Sequence, residues 1–140
     1  MKKINGILLI VLALAMGIVP LLTDCLAHGR SLTTTEGKVV PMKCHWTALA
    51  EIGVAIPLGL AGVFTITSKR KETMQILSGF GGTLGILAIL FPTVLIGVCA
   101  NKMMPCNMIE LPTLIMSGIL VVGVSLVNLV GTRNMQEPAV

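Results

Sequence analysis

Apolar positions dominate this chain in four long runs, divided by short polar breaks that fall at regular intervals. The first run, Ile7 to Leu22, follows Lys2 and Lys3. The second begins at Trp46, an indole of the kind that favours a membrane–water boundary. A basic turn, Ser68-Lys69-Arg70-Lys71-Glu72, precedes the third, and the loop Cys99 to Met108 precedes the fourth. A helix needs about 20 apolar residues to cross the hydrocarbon layer. The pattern therefore predicts spans over about residues 5–23, 46–67, 74–98 and 111–130. The remainder forms outer loops at 24–45 and 99–110, a cytoplasmic turn at 68–73 and a polar tail. The predicted fold is all-α: an integral membrane four-helix bundle forming a single membrane domain over residues 1–140.

Composition strengthens that reading. Hydrophobic residues make up 54% of the chain and charged residues 11%, against about a quarter charged in an ordinary soluble domain. The mean hydropathy is +0.94. The net charge of +4 is thinly spread and has no interleaved aromatic residues, which excludes a nucleic-acid surface. The two lysines and the apolar run also fit a signal peptide. Leu22-Thr23-Asp24, however, offers no small-x-small cleavage site, so a retained first span is expected.

Cation placement orients the bundle. Lys2, Lys3, Lys69, Arg70, Lys71 and Arg133 fall on one side; Arg30, Lys38, Lys43 and Lys102 fall on the other. The tight cluster at 69–71 lies against span ends, where the positive-inside rule acts most strongly. Both termini are therefore expected in the cytoplasm and the protein in the cytoplasmic (inner) membrane. All four cysteines, Cys25, Cys44, Cys99 and Cys106, then lie on the outer, oxidising face.

A faint repeat runs through the chain. Each half has a proline near the outer end of a span (Pro20, Pro92) and a cysteine beyond it (Cys25, Cys99). Met-x-Cys then opens the next span, as Met42-Lys43-Cys44 and Met104-Pro105-Cys106. Two repeated helical hairpins would meet at chemically equivalent tips. Gly81 and Gly85, and Ala55 and Gly59, are spaced for close helix packing, and Pro57 and Pro92 for kinks. Asn128, and Ser117 or Ser125, are expected to bond between helices.

Three readings of the sulfur-rich loops stay open. Structural disulfides would pair Cys25 with Cys44 and Cys99 with Cys106, the longer loop contributing about 3 kcal/mol in the chain-entropy model, although four cysteines allow three connectivities. A soft-metal site would draw on Met42, Cys44, His45, Met103, Met104, Cys106 and Met108, with His28 nearby. Thiolate, thioether and imidazole donors suit cuprous copper. Thiol–disulfide exchange is the third, with His45 or Lys43 lowering the pKa of Cys44. The layout is similar to that of bacterial membrane oxidases that pass electrons from thiols to quinone, but their Cys-x-x-Cys pair is missing. Glu51 is an intramembrane acid roughly 7–8 Å below Trp46, on the helix face of Cys44. It reads as a proton acceptor or as a polar clasp. Asp24 and Glu110 read as solvated boundary residues.

At Met42-Lys43-Cys44-His45-Trp46, followed by Glu51, the chain resembles a family of small bacterial and archaeal integral membrane proteins of unknown function, marked by Met-x-Cys-His-Trp and a later Pro-Cys, here Pro105-Cys106. The resemblance implies a site at Cys44, His45, Trp46, Glu51, Cys99 and Cys106, with no chemistry attached. The function expected first is non-enzymatic: an accessory or interaction subunit of a membrane complex, such as one for transport, whose outer cap docks a membrane protein partner. A cuprous-ion cap and a membrane thiol oxidoreductase are the alternatives.

Overall fold

Four helices account for most of the chain in the computed structural model, and each is long and apolar enough to cross a membrane. The structure describes residues 2–24, 29 and 31–133, with the side chains of Lys2, Leu32 and Arg133 left aside. Cys25, His28 and Arg30 lie outside the described residues. Helix α1 spans Lys2–Thr23, α2 Lys43–Thr67, α3 Lys71–Leu90 and α4 Leu111–Arg133. The helices alternate in direction and pack chiefly as two hairpins, α1 with α2 and α3 with α4. The loop after α1 carries one addition to the all-α expectation, a small antiparallel ribbon of β1 (Leu32–Thr33) and β2 (Val39–Val40). Gly37, at φ +76°, makes its turn, a conformation that costs a residue without a Cβ little.

One buried stripe on each helix builds the interior. On α2 it is Cys44, Thr47, Ala48, Glu51, Val54, Ala55, Leu58, Ala61, Gly62 and Thr65, the three-and-four spacing of a helix that buries one face. Leu9, Leu12, Ala13 and Met16 of α1, Val54, Ala55 and Leu58 of α2, Leu84 and Ala88 of α3, and Leu114 and Val121 of α4 form one apolar mid-section. Ile7, Val11, Ile56, Leu60, Ile86 and Val127 are among the large side chains left on the outside. Outward apolar faces of this kind are what lipid contact requires.

Glycines bring the helices of each hairpin together. A Cβ built on Gly6 would lie 2.9 Å from the Gly62 carbonyl oxygen, and one on Gly62 would lie 3.0 Å from the Gly6 oxygen. Gly85 and Gly118 repeat this reciprocal contact in the second hairpin, at 3.0 and 2.9 Å. In both hairpins the neighbouring contact comes from a β-branched residue one turn on: Ile10 and Ile66 in the first, Ile89 and Val122 in the second. The first hairpin thus crosses at Gly6 and Gly62, whereas a Cβ on Gly59 would make only ordinary contact at 3.7 Å.

Between the hairpins, Asn5 Nδ2 donates to Asn128 Oδ1 at 2.6 Å and joins the first helix to the last. The two serines behave differently from expectation. Ser117 donates within its own helix to the Leu114 carbonyl, because the i−3 carbonyl is nearer than any neighbouring helix can supply. Ser125 Oγ, buried against Gly81, has no partner.

Irregular backbone is concentrated at the end that carries the long loops. Helix α3 widens into a π-helical turn over Phe91–Leu95, where Pro92 cannot donate a helical hydrogen bond. The Ile96 and Gly97 amides both donate to the Phe91 carbonyl, and Gly97 turns the chain away at φ +80°. A second π-helical turn, Cys106–Glu110, leads into α4 just ahead of Pro112.

The crossing contacts yield a paired prediction. Gly118→Ala should destabilise the bundle by about 1–3 kcal/mol, the usual cost of forcing extra volume into a packed contact. Gly123→Ala, where an added Cβ meets open space, should be neutral or slightly stabilising through helix propensity. Thermal unfolding in one detergent checks both.

Candidate functional site

The two Met-x-Cys segments meet. Cys44 lies in the first turn of α2 and Cys106 opens the π-helical turn before α4, so both project from parallel helices at the same end of the bundle. Cys99 arrives from the loop after α3. The three sulfurs lie within 4.8 Å of one another. Cys44 and Cys106 are wholly buried, Cys99 partly so, and Met42 and Met104 pack against them. Cys99 Sγ is 3.3 Å from Cys44 Sγ and 3.8 Å from Met42 Sδ.

Specific bonds hold this arrangement. Thr47, one turn into α2 and fully buried, donates from Oγ1 to the Gly97 carbonyl at 2.8 Å. Asn107 Nδ2 donates to the Cys99 carbonyl at 3.1 Å, so the residue after Cys106 fixes the backbone that presents Cys99. Within the same loop the Met103 amide donates to Asn101 Oδ1 at 3.0 Å. A cleft of about 310 Å³, lined by Met42, Lys43, Val98, Cys99, Asn101 and Met104, opens onto the partly buried thiol.

Of the disulfide pairs expected from the loops, Cys99 and Cys106 do lie close, their sulfurs within 4.8 Å, but Cys99 is also beside Cys44. No disulfide joins the described cysteines to one another, and Cys44 has Cys99 as its neighbour across the hairpins. The reason is geometric: helix packing sets both tips side by side, so sulfur meets sulfur between loops. Cys25 lies outside the described residues.

The other candidates divide clearly. Met103 and Met108 are 82% and 62% exposed, which puts them outside the sulfur cluster. His45 also turns elsewhere: its Nδ1 is 2.8 Å from Asp24 Oδ2, tying the start of α2 to the end of α1. Trp46 is exposed at the helix end, with its ring edge-on to His45.

Beneath the sulfurs lies an acidic group that sequence reasoning recognised only in part. Glu51 is wholly buried on the face of Cys44, and neither of its carboxyl oxygens has a partner. Glu110, expected at a solvated boundary, is wholly buried too. Thr23 Oγ1 donates to Glu110 Oε2 at 3.3 Å, while Oε1 has no partner. Asp24 is likewise nearly buried and bonded to His45. Their burial follows from the depth at which α1 ends and α4 begins. Glu110 stands four residues after Cys106 and four before Leu114, a same-face spacing that marks it in the sequence.

Two comparisons with known proteins, one against curated proteins and one against solved structures, find no match. A family model does match: the one described as Domain of unknown function (DUF4418), over residues 4–131, and the chain belongs to that family. An uncharacterised family is what the resemblance at Met42 to Trp46 implies.

If Asn107 holds the Cys99 loop in place, Asn107→Ala forfeits about 1 kcal/mol of hydrogen bonding. In reduced, detergent-solubilised protein Cys99 should then react with a maleimide roughly five-fold faster, with Cys44 and Cys106 remaining slow. Peptide-resolved mass spectrometry reads all three.

Proposed function

We propose that this member of an uncharacterised family is a small multi-pass membrane protein whose sulfur cluster, Cys44, Cys99 and Cys106 with Met42 and Met104 beside it, binds a soft monovalent metal ion such as cuprous copper. The observation that carries the reading is the convergence of three sulfurs from two helices and a loop. Metal–sulfur bonds of about 2.3 Å set ligating sulfurs around one ion roughly 4 Å apart, a spacing small side-chain movements would reach. A set of sulfur donors alone favours a soft ion, whereas zinc takes four ligands in a tetrahedron. Met42 and Met104 line the cleft to Cys99, where thioethers would pass an ion inward without carrying charge of their own. His45, engaged by Asp24, acts as a brace and not a ligand.

We assign the cluster to the outer side of the cytoplasmic membrane, with both termini inside, from the cations at 69–71. Membership of a larger transport or redox complex would give the bound ion a destination, and this keeps the accessory role as the setting for the site. The apolar helix surfaces offer contact to lipid. A second chemistry is favoured by the 3.3 Å contact of Cys44 and Cys99. The two thiols would form one disulfide, losing two protons and two electrons, while an external disulfide is reduced to two thiols.

Titration of the reduced protein with cuprous ion against a coloured chelator tests the main reading. One ion should bind per chain. Outer partners of metal ligands are worth about 10–100-fold in affinity, so Cys44→Ser, Cys99→Ser or Cys106→Ser should each cost more than that. Met103→Ala and Met108→Ala should change little. Equal binding by the wild type and the triple serine variant would remove the site.

Orientation is tested separately. In intact cells a membrane-impermeant thiol reagent should label Met103→Cys and leave Lys69→Cys untouched until the membrane is opened. The reverse pattern inverts the topology.

A further inference from the structure

Glu51 and Glu110 have no part in binding a metal at the sulfurs, yet both are fully buried in the bundle. Helices α2 and α4 run in the same direction from the cysteine end, so depth on each is counted from its cysteine. Glu51 is seven residues below Cys44, about 10 Å, and Glu110 is four residues below Cys106, at the end of the π-helical turn. Both are 0% exposed. Three of their four oxygens, both of Glu51 and Oε1 of Glu110, have no hydrogen-bond partner. The two carboxyl groups lie within electrostatic reach of each other, and Asp24 lies within reach of Glu110.

The polar groups shown to reach the pair come from the end of α1: Thr23 donates to Glu110, and Asp24 lies within electrostatic reach of it. Asp24 is already bonded to His45. No Lys or Arg among the described residues forms an ion pair with either glutamate. Buried acids placed like this require compensating positive charge from somewhere. A hard metal ion of the calcium type asks for six to eight oxygens, more than two carboxyl groups and the Thr23 hydroxyl supply. A proton needs only one.

We propose that Glu51 and Glu110 form a proton-binding carboxyl pair whose occupancy is linked to metal loading of the sulfur cluster above it. This rests on the metal reading for its partner event, although the pair itself does not. Thiols become thiolates when they take a metal, and their protons must leave. Three thiolates around one monovalent ion carry a net negative charge, which favours protons staying on, or moving to, the acids beneath. By reciprocity, a protonated pair strengthens metal binding, and its deprotonation weakens it. The bundle would then hold metal and protons together at one end.

Two measurements test this, on Glu51→Gln, Glu110→Gln and the double variant, with Gln preserving shape and circular dichroism confirming the helices. Infrared spectra of the wild type should show a protonated-carboxyl band that shifts in D₂O and is lost from the double variant. Proton release per cuprous ion, read with a pH indicator in weak buffer, should be smaller in the wild type than in the double variant. A spectrum without that band, or one in which it changes only on adding calcium or sodium, overturns the proton site. Equal proton release by the wild type and the double variant overturns the linkage. If cuprous ion does not bind at all, the metal reading and the linkage both fall, and the infrared result still decides the pair.

Discussion

Hydrocarbon offers no hydrogen bond to a peptide group, and every other feature of this protein follows from where that constraint is relaxed. Across the mid-section the backbone satisfies itself as helix, and the side chains that meet are apolar: Met16, Leu58, Leu114 and Val121 are all fully buried. At the cysteine end the helical ladder opens through the π-helical turns at Phe91–Leu95 and Cys106–Glu110. Proline lies within the first turn and just past the second. The displaced groups are met by specific partners, as when Thr47 donates to the Gly97 carbonyl. The place where regular structure gives way is also the place where the sulfurs gather.

Much of the fold was legible because its determinants are local. Helices follow from run length and the basic turn from Ser68 to Glu72. The sharing of one face by Cys44 and Glu51 follows from a seven-residue spacing, and both prove to be wholly buried. The candidate site was less legible. That Cys44 sits beside Cys99 depends on how two hairpins pack, and no spacing within either loop encodes it. Glu110 was misjudged for a related reason. It ends the loop between the third and fourth apolar runs in the linear chain, but the π-helical turn carries it inside the bundle, where Thr23 from α1 reaches it. Met103 and Met108 show the opposite: they are near Cys106 in sequence yet largely exposed, whereas Cys106 is wholly buried.

The two halves of the chain are alike in a limited and instructive sense. Each hairpin closes on a reciprocal glycine contact with a β-branched residue one turn further along. Measured from the Met-x-Cys segments the crossings are displaced: Gly62 follows Met42 by 20 residues, and Gly118 follows Met104 by 14. Equivalent tips therefore meet although the helices beneath them cross at different depths. The first tip carries the ribbon of β1 and β2, and the second is a short loop braced by Asn107. The sulfur cluster is accordingly asymmetric, with two donors from helix starts and one from a loop.

The apolar mid-section separates two polar regions. Glu51, Glu110 and Thr23 lie on the cysteine side, and Thr65, Ser78, Asn128 and Asn5 on the other. The buried acids and the three sulfurs are thus gathered on one side of an apolar layer, and the Asn5–Asn128 bond stands on the other side as a polar tie between the first and last helices.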